Sequence, residues 1–252
     1  MNRKTSRFPM LIIILICFVV GALSVYLNVS NRISIFPQAT PTVPPSVTHQ
    51  KTALILGVDD LSLPEPRLLA VWFASFRFPE KEIFLYGLPT DYAADVSSPS
   101  LADLFQWHGE NGVAKAFLVA LQEIHISEPN VILVLDEQGF ATLIDYLTGV
   151  PLGGSSMDGE TVVNALRFFY EDPSQSLEAQ TKILRALVER VQVLGDTLDL
   201  TDLFNLIPDH AYCSEPPSLV ATTFGLLLPL RKETIFITQW PLNPEEQSLS
   251  SP

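Results

Sequence analysis

Apolar positions along this chain follow two periods. In "TALILGVDD", "RLLAVWFASF", "EIFLYGLP" and "NVILVLD" they run almost unbroken between Gly, Pro and acidic residues, which predicts short buried strands. The segment "FRFPEKE" between the second and third has the length of a hairpin connection. Elsewhere the period lengthens. "GVAKAFLVALQEIH" places Val113, Phe117, Ala120, Leu121 and Ile124 on one helical face. "EQGFATLIDYLTGV" reads as a short helix ending at Gly149, and "MDGETVVNALRFFY" as a helix from Gly159 capped by Asp158. A long amphipathic helix is expected from about Ser176 through "SLEAQTKILRALVERVQVL". A last helix around "LVATTFGLLLPL" leads to a final strand, "ETIFITQWPL". Strands alternating with helices, several of them continuously apolar, predict an α/β domain with a sheet covered on both faces.

The first 50 residues differ in kind. Arg3, Lys4 and Arg7 precede "FPMLIIILICFVVGALSVYL". That uncharged run of about 20 residues is long enough to cross a bilayer as a helix. The reading is a basic cytoplasmic tail over 1–7, a signal-anchor helix over 8–27 and a Pro-rich linker over 28–50. The domain occupies 51–242, and a polar tail 243–252. Basic residues ahead of the apolar run favour a cytoplasmic N-terminus, which places the domain outside a bacterial plasma membrane. A cleaved signal peptide, with a small-residue site near Ala22 to Ser24, is the alternative.

Charge narrows the function. The whole chain carries −13, but none of its 28 acids and four of its 15 Lys and Arg lie in the first 50 residues. The domain therefore sets 28 acids against 11 bases, a formal −17. Such a domain repels nucleic acid, and no nucleic-acid-binding motif is present. Cys213 is its only cysteine, which rules out an internal disulfide. His108, His125 and His210 lie too far apart in sequence to suggest a metal motif. Gly153-Gly154-Ser155-Ser156 has the composition of a phosphate-binding loop without the flanking pattern.

The order "LILGVD", "RLLAVWFAS", "IFLYGLPTD", "VILVLDEQGFATLIDYLTGV", "MDGETVVNALRFFY" and "EAQTKIL" resembles the LytR-CpsA-Psr family over nearly all of residues 52–242. The most specific stretch is "VLDEQGFATLIDYLTGVPL". The resemblance implies a three-layer α/β/α sandwich with a central mixed sheet and an apolar tunnel. It also implies a membrane-anchored protein of the cell envelope. Its relatives transfer polyprenyl-pyrophosphate-linked glycopolymers to peptidoglycan, with arginines on the pyrophosphate and carboxylates on magnesium. Fixed guanidinium forks and a divalent ion would neutralise the charge that builds on a diphosphate leaving group.

Carried over residue by residue, the resemblance implies Asp59 and Asp91 as magnesium ligands. Arg67, Arg167 and Gln180 would bind pyrophosphate, with Arg67 and Asp91 catalytic. The chain also departs from the family pattern. Leu69 replaces an aspartate, while Thr90, Phe169, Ser176 and Ala179 each stand where the family has an arginine. A charged hydrogen bond contributes roughly 1.5–3 kcal/mol, so those losses weaken a pyrophosphate clamp severely.

Plainer readings stand beside each residue. Asp91 after Pro89 is ordinary turn vocabulary, and the Asp59-Asp60 pair suits a solvated loop. Arg67 suits a surface pair with Glu65 or another acid, Arg167 an intrahelical pair with Glu171, and Gln180 is simply a good helix former. The expectation is a non-catalytic relative that binds a polyprenyl-linked glycopolymer or an envelope partner. The alternative is an active, magnesium-dependent phosphotransferase.

Overall fold

The computed structural model describes residues 49–93, 95, 97–123, 128–195, 206–227 and 231–240. The expected anchor over 8–27, most of the linker and the tail lie outside these residues. No helix among the described residues is long and apolar enough to cross a membrane.

Six strands form one mixed sheet in the order β7-β4-β1-β2-β3-β8. β1 (His49–Val58), β2 (Leu68–Phe78) and β3 (Glu82–Leu88) make an antiparallel meander. β4 (Val131–Asp136) joins β1 in parallel, from Ala53 opposite Val131 to Val58 opposite Asp136. β8 (Ile235–Gln239) joins β3 in parallel, and β7 (Ala211–Cys213) joins β4 antiparallel. β1, β3, β4 and β8 therefore end at one edge of the sheet, where β2 and β7 begin.

Strand alternation sends side chains to two faces. Leu54, Leu56, Val58, Val71, Phe73 and Leu88 pack on one face with Leu101, Phe105, Phe117 and Leu121. These come from α1 (Leu101–Leu104), α2 (Lys115–Glu123) and the loop between them. On the other face Ala53, Trp72, Ala74, Phe76, Ile83 and Leu85 meet Leu177 of α5 (Pro173–Leu194) and Leu227 of α6 (Pro217–Leu227). Both faces are covered by helices, as the unbroken apolar runs predicted. A separate cluster of Ile144, Leu147, Val150, Val162, Leu166, Ile183 and Leu187 binds α3 (Glu137–Tyr146) and α4 (Gly159–Arg167) to α5. The aromatics Trp72, Phe73 and Phe76 are buried in this core.

Several boundaries differ from expectation. β1 begins at His49, inside the expected linker. α5 begins at Pro173 because the Asp172 carboxylate accepts from the Gln175 N–H and proline suits the first turn. The Gly153-Gly154 segment is a tight turn, φ 60° and 86°, between β5 (Val150–Leu152) and β6 (Ser155–Met157). No helix N-terminus follows it directly, so it lacks the geometry of a phosphate loop.

Phe117 is fully buried and meets Phe105 edge-on, ring centroids 5.6 Å apart. It fixes α2 to the sheet. Phe117→Ala is expected to lower unfolding free energy by about 3–5 kcal/mol, measured by denaturant titration.

Candidate functional site

The edge where β1, β3, β4 and β8 end gathers the predicted acids, consistent with the habit of α/β sheets to hold ligands at strand carboxyl ends. Asp59 follows β1. Its Oδ1 accepts from the backbone N–H groups of Asp60 and Arg67, both at 2.8 Å, and its own N–H donates to the Arg67 carbonyl at 3.2 Å. The carboxylate thus closes the loop between β1 and β2. Asp60 in turn accepts from the Ser62 N–H at 2.8 Å; the Ser62 side chain first, and this N–H second, hold its carboxyl below the usual range, with a smaller contribution from His210. Asp91 follows β3 in a turn closed by the Tyr92 N–H donating to the Pro89 carbonyl at 3.1 Å, and it is exposed.

β2 lies between the strands that carry Asp59 and Asp91. No group of three His, Cys, Asp or Glu among the described residues is arranged to hold a metal ion. Magnesium is commonly bound through one or two carboxylates completed by phosphates and water. Asp59 and Asp91 would supply at most that minimal carboxylate set, with one Asp59 oxygen already engaged by the backbone.

The two predicted arginines do converge, but on acids of this chain. Arg67 Nη1 donates to Glu171 Oε1 at 2.9 Å and its Nη2 to the Tyr170 carbonyl at 3.0 Å. Arg167 grips Glu137 with Nε, at 3.1 Å to each oxygen, and with Nη2, while Nη1 donates to Asn164 Oδ1 at 3.1 Å. Tyr170 closes the network by donating its hydroxyl to Glu137 Oε1 at 2.9 Å. The Glu137 hydrogen bonds and charge hold the Arg167 guanidinium above its ordinary value. Burial first, and the Glu137 contact second, push the Tyr170 phenol well above the usual phenol range.

The intrahelical Arg167–Glu171 pair expected from sequence does not form. Arg167 reaches back to the start of α3, and Glu171 receives Arg67 instead. No local spacing signals a contact between residues 30 apart.

Gln180 is a clasp. Its Oε1 accepts from Trp72 Nε1 at 3.0 Å, and its Nε2 donates to the Leu69 carbonyl and to Ser176 Oγ, both at 3.0 Å. Both amide donors are engaged in pinning α5 to β2, which goes beyond the helix-former reading. A buried tryptophan on β2 needs an acceptor for its N–H, and that was the available sequence signal.

Sequence reasoning missed Asp136, Glu137, Tyr170 and His210. Asp136, 2% exposed at the end of β4, accepts from the Gly139 N–H at 2.8 Å through Oδ1. Through Oδ2 it meets His210 Nδ1 at 2.9 Å and, more weakly, the Leu61 N–H at 3.4 Å. Beside Asp91 a cavity of about 490 Å³ opens among Tyr92, Leu101, Leu104, Lys115, Val119 and Glu123. Its walls are mostly apolar, and Lys115 brings a cation to them. Lys182 pairs with Glu178 at 2.7 Å. Arg185 lines a different groove, with Phe84 and Phe236.

No protein-family model matches the chain, and no curated protein matches it in sequence. Solved structures match its fold. The crystal structure of B. subtilis TagV aligns with a TM-score of 0.60 at 13% identity, over 78% of this chain and 88% of that one. TagT bound to LI-WTA aligns at 0.58 and 14%, over 83% of both chains. The LytR-Csp2A-Psr enzyme from Actinomyces oris aligns at 0.56 and 17%, over 79% and 84%. The architecture is that of the LytR-CpsA-Psr proteins, the family whose motifs the sequence resembles, and this chain is a divergent representative of that fold.

Gln180→Ala leaves the Trp72 N–H and the Leu69 carbonyl without their partner. It is expected to cost about 1–3 kcal/mol in unfolding experiments. Tyr170 sets an alkaline limit. A phenol whose pKa is raised by folding stabilises the fold fully below its unfolded value, about 10, and that contribution declines as pH rises further. Stability measured across pH 9–12 should therefore fall above about pH 10, and Tyr170→Phe should flatten that fall.

Proposed function

We propose that this chain is a membrane-anchored cell-envelope protein that binds a polyprenyl-linked glycopolymer at the carboxyl edge of its sheet without transferring it. One observation carries the reading: Arg67 and Arg167 are each neutralised by a carboxylate of the same chain. A pyrophosphate would have to displace Glu137 from a guanidinium that holds it at three nitrogen–oxygen contacts. Thr90, Phe169, Ser176 and Ala179 supply no replacement cation. Charge development on a leaving diphosphate would go uncompensated, and that is the term transfer depends on most.

Binding makes smaller demands. The fold is shared with a protein solved bound to LI-WTA, and the apolar cavity beside Asp91 offers a wall for a lipid chain with Lys115 at its margin. The sequence anchor over 8–27 would keep the domain beside the bilayer that carries such lipids, within reach of peptidoglycan. The second reading is magnesium-dependent transfer onto peptidoglycan, with Asp59 and Asp91 on the metal and Arg67 released from Glu171. It is favoured by the likeness to the Actinomyces oris enzyme and by the placement of both acids at one sheet edge.

Titration of the full chain in detergent with a polyprenyl pyrophosphate, followed by tryptophan fluorescence, separates the two. Saturable binding that does not need magnesium is expected, with no lipid phosphate released on adding a peptidoglycan acceptor. Glu171 is 88% exposed, so Glu171→Gln should free Arg67 without disturbing the fold and tighten binding by roughly 3- to 10-fold. Magnesium-dependent binding lost in Asp91→Ala, with product formed, would establish transfer instead. Absence of any binding would overturn both readings.

A further inference from the structure

We propose that residues 245–249 of this chain dock antiparallel along the free edge of β8 as an added strand, with the Glu245 carboxylate on Arg185. The inference is independent of the glycopolymer reading and concerns the end of the sheet away from β7.

β8 is the last strand in the sheet order and pairs with β3 on one side only. The Trp240 N–H donates to the Gly87 carbonyl of β3 at 2.8 Å. Backbone groups alternate along a strand, so Phe236 and Thr238 also face β3, while Ile235, Ile237 and Gln239 face outward. The Ile235 N–H is taken by the Lys232 carbonyl. The Ile235 carbonyl and the main-chain groups of Ile237 and Gln239 have no partner among the described residues. An open edge of this kind is a template for another strand.

A groove of about 570 Å³ follows the edge. Phe84, Tyr86 and Phe236 line one side of it, and Arg185, Val188 and Glu189 of α5 line the other. Phe84 and Phe236 stack at 4.8 Å, and Phe236 remains 41% exposed. Lys232 is drawn to Glu189 at 3.5 Å. Arg185 has no hydrogen bond or ion pair to any described residue, in a domain with 28 acids.

The sequence after Trp240 suits both the edge and the cation. It runs Pro-Leu-Asn-Pro-Glu-Glu-Gln-Ser-Leu from 241 to 249. Proline and asparagine at 241–244 are turn vocabulary, and neither proline has an N–H to leave unpaired. A five-residue connection over 240–244 sets Glu245 opposite Gln239, Gln247 opposite Ile237 and Leu249 opposite Ile235. Directly opposed residues share a face. Gln239 points at α5, where its Nε2 donates to Thr181 Oγ1 at 2.9 Å, one turn before Arg185. Glu245 is thereby brought beside the unpaired guanidinium, and Leu249 beside Ile235. A strand from any other protein would have to displace this occupant.

Amide hydrogen exchange on the full chain in detergent, read residue by residue, tests this. The outward N–H groups of Ile237 and Gln239 should exchange at least roughly 10-fold more slowly than open chain. Truncation after Leu242 should return both to the open-chain rate, while Phe236 and Thr238, held by β3, stay slow. Glu245→Lys should speed the same two amides, and adding Arg185→Glu should slow them again. Fast exchange at Ile237 and Gln239 in the full chain overturns the proposal, as does protection that survives the truncation. Protection that rises with protein concentration, with a dimer seen by light scattering, gives the edge to a second copy and overturns it too. If truncation speeds all four amides, the charge swap decides, and absence of rescue by Arg185→Glu counts against the docking.

Discussion

A carboxylate taken out of water must be surrounded by donors, and Asp136 shows what that requirement builds. Its two oxygens draw in the first turn of α3, the loop after β1 and the imidazole ahead of β7. Three separate chain segments are thereby fixed against the end of β4. Because α3 starts there, Glu137 is set beside the sheet edge at 15% exposure, and Arg167 and Tyr170 close around it. Remove the donors and the whole edge loses its registration, not just one contact.

The same edge explains how so acidic a domain keeps its arginines. Each guanidinium is placed within reach of an acid from a different element: α3 for Arg167, the turn after α4 for Arg67. The exposed Arg67 pair is worth little to stability, whereas the sheltered Glu137 contacts carry hydrogen bonds to a phenol and a guanidinium at once. The network is a finished structural element in its own right. A ligand phosphate would compete with it rather than complete it.

Much of the fold was legible because its strands are apolar on both faces and its long helices repeat cleanly. β2 and β4 declare themselves as unbroken runs, and Asp158 caps its helix as its position suggests. What stayed hidden is short or non-local. β7 has three residues, as do β5 and β6, too few for a period to show. Arg167 and Glu137, or Gln180 and Trp72, meet across 30 and 108 positions, and no spacing rule spans such distances. Family resemblance located Arg67, Arg167 and Gln180 as residues of interest, but not their partners. His210 escaped because a histidine without a neighbouring motif reads as ordinary until the buried aspartate behind it is seen.

The start of β1 at His49 has a mechanical meaning. β1 lies inside the sheet, bordered by β2 along its whole length and by β4 over its second half. A force applied at His49 along the axis of this strand would shear its flanking hydrogen bonds together instead of peeling them one by one. Loads of that kind are carried by the sheet as a unit. β1 is an inner strand held on both sides, so a pull at His49 meets greater resistance than the same pull on either edge strand.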